Sequence, residues 1–587
     1  MMSCLLASLE SALYDTTAIS PPMEGIGQGV KVHYLRRLRN RSGWNVVVLG
    51  MAVLALVACG SSADPTTPTA EPQYGGILVR AHAADPAGFD PVQDSSINTL
   101  DLIAPIFSQL VRLNPEDSDG ALLPELAEKW EVGDDGRQVT FHLRADVRWH
   151  DGQPFTSDDV ASHFNRVITP PSGLFSSQRA PFVDVIDIQT PNPETVVFIT
   201  QQPNAGLLRN LAGGHYMVVA KHVMERETVE NPRGLRSNPD ALIGTGPFIF
   251  QRYEPSNSFE VRKNPDYWDE GKPYLDGIQF FIIKDSAARF AALVTGRVHT
   301  TASGTASLTP PEAKEIRDSY ADSINLIEAR GPFWIGASFN SNTEPFNDPR
   351  VRQALSLAVD RNAYLKLVTG GEGGVGMIGG FSPPDTDFGL SLSQLREVPG
   401  YRDLENADIL SARALLVDAG VPDGFEVSIM VRGDVSVWVN SALFFQDQWS
   451  ELGLDVKVEQ VEFGTSISRM LQGDFDVRIG GIAFNTPDPD QYLFAPFSSD
   501  GPNNLYYPAD SEVDRLLDAQ RHELDPDLRR QLAQEAEIRL LSEVVPSVVG
   551  HYVVYLYGVR KEVQGWVPRD FMLYNQARME NVWLHQD

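Results

Sequence analysis

Gly374, Gly376 and Gly379 stand at the spacing G-x-G-x-x-G, with which a glycine-rich turn cradles phosphates. That chemistry needs a strand leading into the turn and a helix leaving it. No strand pattern leads in here, and Phe381-Ser382-Pro383-Pro384 gives an extended exit, so the run reads as a mobile loop. Asp488 and Asp490 lie in 475–494, FDVRIGGIAFNTPDPDQYLF, where carboxylates beside Pro487 and Pro489 suit turn caps. The eleven histidines are dispersed; His150 in a turn and His142 in a strand pattern read as structural rather than ligating. There is no H-E-x-x-H, no Walker lysine motif and no G-x-S-x-G nucleophile elbow. The only cysteines, Cys4 and Cys59, exclude a disulfide framework and any Cys-rich metal site. No catalytic set, metal or cofactor is called for.

The elements that would carry these residues mix strands and helices. Segments 139–143, 195–200, 248–253, 259–262, 278–283, 427–431, 456–461 and 553–557 are rich in β-branched and aromatic residues and read as strands. Asp348 followed by Pro349 caps a helix in which Val351, Ala354, Leu355, Ala358 and Val359 recur at helical spacing. Asp158 and Asp159 behind Ser157 suit the positive end of a second helix, with Val160, Phe164, Val167 and Ile168 on one face. A third, 436–452, stops at Gly453. The stretch 512–537 reads as one charged helical face with Leu516, Leu517 and Leu524 inside. No strict βαβ rhythm holds, which predicts α/β lobes with mixed sheets.

The chain has 587 residues, room for roughly three to four domains. Its 78 acidic and 48 basic side chains give a formal net charge of −30, against nucleic acid as main partner. Residues 31–59 place Lys31, Arg36, Arg37, Arg39 and Arg41 before an apolar run from about Val46 to Ala58, the layout of a secretory leader. That run is too short for a comfortable span of about 20 residues. Its end, Leu56-Val57-Ala58-Cys59, resembles a bacterial lipobox, which implies cleavage before Cys59 and a lipid on its sulfur. The Ser/Thr/Pro-rich GSSADPTTPTAEPQ that follows suits a flexible tether. Residues 1–30 precede the basic region, which leads us to expect translation to start nearer Met23 or Val30.

The segment 122–159, LLPELAEKWEVGDDGRQVTFHLRADVRWHDGQPFTSDD, resembles the signature of the peptide/nickel-type (family 5) solute-binding proteins of ABC importers. Asp135-Gly136 is a hairpin turn within it, pairing 129–132 with 139–143. Further similar segments follow in order: Tyr74-Gly75-Gly76, Gly88-Phe89-Asp90-Pro91, IGTGPF at 243–248, NPDYW at 264–268, 346–360, and Val559-Arg560-Lys561 with Gly565. They span nearly all of 74–587. The resemblance implies a type II periplasmic-binding-protein-like α/β fold, two hinged lobes plus an extra domain. We expect 1–58 as leader and 59–73 as tether. Domain I would comprise 72–110, 240–330 and 550–587, the extra domain II 111–239, and domain III 331–549. Hinge crossings are expected at 330–339 and 545–554.

The same resemblance implies the ligand site. Gly481, Ile482 and Ala483 match positions whose backbone pairs with an extended peptide, a mode blind to side chains. Asn485 stands where the peptide binders carry a carboxylate for the ligand's free amino group. An amide supplies no charge, so a free ammonium would be left unpaired and the site turns towards a neutral or differently charged solute, an oligosaccharide first, with nickel-complex, opine and blocked-peptide ligands as alternatives. Asp488 or Asp490 could take the missing role. Phe463, Phe484, Trp334 and Trp438 are candidate stacking faces, with core packing as the alternative for each. Ser95 and Ile97 match a first-lobe loop that touches ligand, with Asp94 beside them.

These readings give an extracytoplasmic, lipid-anchored, monomeric binding protein. It would capture a peptide or oligosaccharide-like solute by hinge closure and pass it to a membrane permease. A ligand-presenting sensor or chaperone on the same fold is the alternative; a secreted hydrolase would need an acid/base or nucleophile pair that is absent.

Overall fold

Residues 324–339 and 547–560 read INLIEARGPFWIGASF and SVVGHYVVYLYGVR, compositions that suit a pleated, mostly buried surface. In the computed structural model they form the strands Ile324–Phe339 and Ser547–Arg560, paired antiparallel from Ile324 opposite Arg560 to Ser338 opposite Ser547. The structure describes residues 71–587, apart from Ser95, 115–120, 173, 175, 177, 227–233, 303, 370–375, 569, 572–576, 587 and the Thr305 side chain. The expected leader and Cys59 lie outside the described residues, as does nearly all of the tether.

Among the described residues these two strands are the centre of an eleven-stranded mixed sheet. Its spatial order on one side runs outward through Val477–Gly480, Glu426–Arg432 and Asp455–Val461. On the other side it runs through Thr300–Thr301, Ile77–His82, Gly277–Ile282, Ser258–Lys263 and Phe248–Glu254. The pair Gly376–Met377 adds to Ser547–Arg560. Glu426–Arg432 is parallel to both its neighbours, whereas Ile324–Phe339 is antiparallel to both of its own, as a mixed sheet requires.

Separate apolar cores cover the two sides. One packs Phe339 on Phe346 and Trp449, with Phe445 stacked on Trp449 at 5.2 Å. Trp449 satisfies its indole by donating to the Leu355 carbonyl at 2.9 Å. Each such fully buried ring contributes about 1.5–3 kcal/mol. A four-stranded antiparallel sheet, in the order Ala127–Val132, Gln138–Leu143, Thr195–Thr200, Val185–Asn192, carries the helix Ser157–Ile168. Val160, Phe164 and Val167 are buried there, with Phe164 against Phe182 and Phe198. Asp159 closes the helix start by accepting from the Thr156 amide at 2.9 Å.

His150 accepts from the Gly244 amide at Nδ1 and donates from Nε2 to the Gly246 carbonyl, which clamps the IGTGPF turn. Burial pushes its pKa down to about 4, so it is a neutral structural residue. A Cβ at Gly244 would lie 1.9 Å from the Ile106 carbonyl oxygen, which explains glycine there.

One expectation is corrected. The stretch 512–537 is two helices, Ser511–His522 and Pro526–Arg539, because Asp525 caps a new helix that opens with Pro526. Leu516 and Leu517 are buried, but Leu524 falls in the connection and is 49% exposed. The start of the glycine run, expected as a mobile loop near the cleft, lies outside the described residues; its later part holds the two-residue strand Gly376–Met377 and then irregular chain, with Gly379 against the Tyr552 ring and Gly380 against the Glu537 carboxyl.

Candidate functional site

The central strand pair is irregular at two places, a one-residue bulge at Gly550 between Ile335 and Gly336 and a longer break just before it. Register holds to Arg330 opposite Val554 and resumes at Trp334 opposite Tyr552. Pro332, which has no N–H to give the ladder, lies in the gap. The chain leaving Val477–Gly480 runs beside this gap. Trp334 donates to the Ile482 carbonyl at 3.4 Å, Phe484 donates to the Pro332 carbonyl at 3.1 Å, and Phe333 faces Ala483 between them. Ala483 is thus a non-hydrogen-bonded pair position, and its own N–H and C=O point away from Phe333 towards the open edge. A Cβ at Gly481 would lie 1.5 Å from the Trp334 carbonyl oxygen, so only glycine lets the two segments come this close.

That open edge borders a cavity of about 690 Å³. Its apolar wall includes Ile97, Leu174, Phe333, Phe484 and Tyr555; its polar wall includes Ser176, Gln178, Arg179, His215, Asn485, Gln491 and Asn503. Asn485 Nδ2 donates to Gln178 Oε1 at 2.9 Å, and the Tyr216 hydroxyl donates to the Gln178 carbonyl at 3.2 Å. Below them Asn210 Oδ1 accepts from both Thr486 and Gln491 at 2.9 Å.

The two carboxylates that could have replaced Asn485 are committed elsewhere. Both oxygens of Asp488 accept from Arg529 at 3.0 Å, and Oδ1 also accepts from the Asp490 amide. Burial would raise Asp488, but the Arg529 charge and hydrogen bonds outweigh it and hold its pKa below the ordinary value. Asp490 accepts from Gln520 at 2.8 Å and lies 3.5 Å from Arg521; burial and the neighbouring Asp488 raise its pKa. Neither lines the cavity. Asp94 is likewise engaged, by the Ser96 amide and the Thr99 hydroxyl.

Of the other anticipated positions, Ala483, Phe484, Asn485 and Ile97 lie on the cavity wall, with Phe484 also packed on Tyr492 and Phe571. Gly481 and Ile482 set the approach without lining it. Ser95 lies outside the described residues. Trp334 is fully buried, with its ring on Phe381, because strand alternation turns its neighbour Phe333 to the cavity instead. Trp438 is one ring back from the wall, stacked on Phe333 at 6.3 Å. Arg432 bridges Trp438 to Phe463, which is 55% exposed and away from the cavity. Sequence reasoning missed Phe333, Gln178, Arg179, Gln491, Asn503 and Tyr555. Alternation along 330–339 could have found Phe333; the residues at 176–180 sit in a connection with no periodicity to read. Among the described residues no cluster of His, Cys, Asp or Glu could hold a metal ion, and no helix is long and apolar enough to cross a membrane.

Comparison with known proteins gives a consistent result. Residues 121–504 match the model of the bacterial extracellular solute-binding proteins, family 5. The dipeptide-binding protein of Escherichia coli K12 is 27% identical over 544 residues, covering 88% of this chain and 95% of that relative. Among solved structures, the binding protein AgaA of A. tumefaciens R10 in complex with agropinic acid superposes with a TM-score of 0.75 at 27% identity, covering 87% of this chain and 99% of that one. The DppA protein of Helicobacter pylori in complex with the peptide STSA shares the fold at a TM-score of 0.73 and 24% identity, with 88% and 99% covered.

Proposed function

The chain belongs to the bacterial extracellular solute-binding proteins of family 5, substrate-binding components of ABC transporters, and from that premise we propose that it captures a peptide-like solute in the cavity beside Ala483 and hands it to a membrane permease. The observation that carries this reading is the open backbone edge of Ala483 on a cavity of about 690 Å³. An extended amide chain could add to that edge as a strand does, while the cavity walls grip what projects from it.

Capture would proceed by closure of two lobes, domain I (72–110, 240–330, 550–587) and domain III (331–549), with domain II (111–239) as the extra domain. The two crossing strands and the register break at 331–333 are where rotation would be absorbed. A solute touching both lobes only in the closed form shifts the open–closed equilibrium by its differential contacts, and no covalent step is needed. Cleavage before Cys59 and lipidation of its sulfur would tether the protein as a monomer outside the cytoplasm.

Native mass spectrometry of the purified mature chain tests this. A small solute retained in the gas phase and released on denaturation supports the reading, and its mass pattern separates peptide-like from hexose-spaced ligands. A chain that retains nothing and shows no thermal shift with peptide, opine or sugar libraries would overturn it.

A further inference from the structure

Within the solute-binding reading, on which this step rests, we propose that the cavity selects an organic anion lacking a free amino group. The ligand would carry a carboxylate, and its remaining polar groups would be amides, esters or hydroxyls.

The charges around the cavity support this choice. None of its described lining residues is acidic. The nearby carboxylates have cationic or capping partners: Asp488 with Arg529, Asp490 and Asp184 with Arg521, and Asp94 with its own helix start. An ammonium brought into this cavity would lose its hydration with no counter-charge to replace it, which costs several kcal/mol. Arg179 presents the opposite case. It lines the cavity and is exposed, and among the described residues its guanidinium has neither an ion pair nor a hydrogen bond. A guanidinium offers a planar fork that matches a carboxylate with two parallel hydrogen bonds. The amides Asn485, Gln491 and Asn503 supply neutral donors and acceptors for the rest of the solute.

The net charge of −30 opposes an incoming anion only at long range. At physiological ionic strength charges are screened beyond about 8 Å, so the guanidinium in contact with the solute outweighs the distant surface.

Titration calorimetry with three probes tests the inference: alanyl-phenylalanyl-alanine, its N-acetyl derivative, and the N-acetyl derivative amidated at the C-terminus. Wild-type protein is expected to bind the N-acetyl acid more tightly than the other two. Arg179→Gln should weaken that probe by about tenfold or more while sparing the amidated one. Asn485→Asp should reverse the order in favour of the free-amine peptide. Equal or tighter binding of the free-amine peptide by wild type would overturn the inference, as would an N-acetyl acid indifferent to Arg179→Gln. If none of the three binds and a neutral solute co-purifies, the anion inference falls while the solute-binding reading stands. If none binds and no solute is retained, both fall.

Discussion

Asp488 and Arg529 form a buried, two-pronged ion pair, both carboxylate oxygens accepting at 3.0 Å, three residues along the chain from cavity-lining Asn485. This pairing keeps the Asp488 charge out of the cavity. A carboxylate three residues beyond Asn485 is present in the chain, yet its charge is spent on an internal guanidinium and not on a solute.

Breaking the pair leaves buried Arg529 with only Asp490, at 4.0 Å, as counter-charge. Asp488→Asn is expected to cost about 3 kcal/mol or more of folding stability. Denaturant unfolding of the purified protein measures it; a loss below about 1 kcal/mol would show the pair to be screened by water.

Gly481→Ala should drive a methyl into the Trp334 carbonyl, since its Cβ would lie 1.5 Å from that oxygen. Overpacking of this kind costs about 1–3 kcal/mol or more and would open the edge at Ala483. Loss of the retained solute together with a lower melting temperature is the expected result. Gly464→Ala, with nothing within 4 Å of its added Cβ, is the silent control.

Buried Glu537 gives a pH signature. Burial pushes its pKa from 4.5 up to about 7, against the hydrogen bond from the Ser382 amide at 2.7 Å. Between those values the folded chain keeps a proton that the unfolded chain has lost. Its stabilising share is complete below about pH 4.5 and fades as pH rises through 7, a change of about 3 kcal/mol. His150, His163 and His551, pushed by burial down to about 4, 3 and 4, act with the opposite sign and destabilise the fold as pH falls below 6.5. The comparison of wild type with Glu537→Gln isolates the carboxyl. The variant should be the more stable above pH 7, with the difference vanishing towards pH 4 in thermal unfolding; a pH-independent difference would contradict the assignment.

Cys59→Ser should release the protein from the membrane fraction, read by fractionation of expressing cells. Continued anchorage of the variant would mean that the apolar leader is retained uncleaved.

Local signals in the sequence carried much of the fold. Asp135-Gly136 pairs Lys129 with His142 and Val132 with Val139, as the turn dictates. Asp348-Pro349 opens the helix Pro349–Leu357. The strand 553–557 was legible only as the middle of Ser547–Arg560, because Gly550 and His551 interrupt the run of β-branched and aromatic residues in a strand whose partners lie far away in sequence. The cavity was half legible. Asn485 could be placed because it sits in a recognisable segment, whereas Gln178 and Arg179 reach it from more than three hundred residues away through tertiary packing that no local pattern encodes. Trp334 shows the finer limit: a one-residue alternation decides whether a ring lines the cavity or fills the core.

Closure around a solute is tested most directly by small-angle X-ray scattering of the purified protein before and after ligand removal. The account predicts a smaller radius of gyration with solute retained, expansion once it is stripped by unfolding and refolding, and recompaction when it is returned. Superimposable profiles in all three states, with the solute verified as bound and removed, would contradict it.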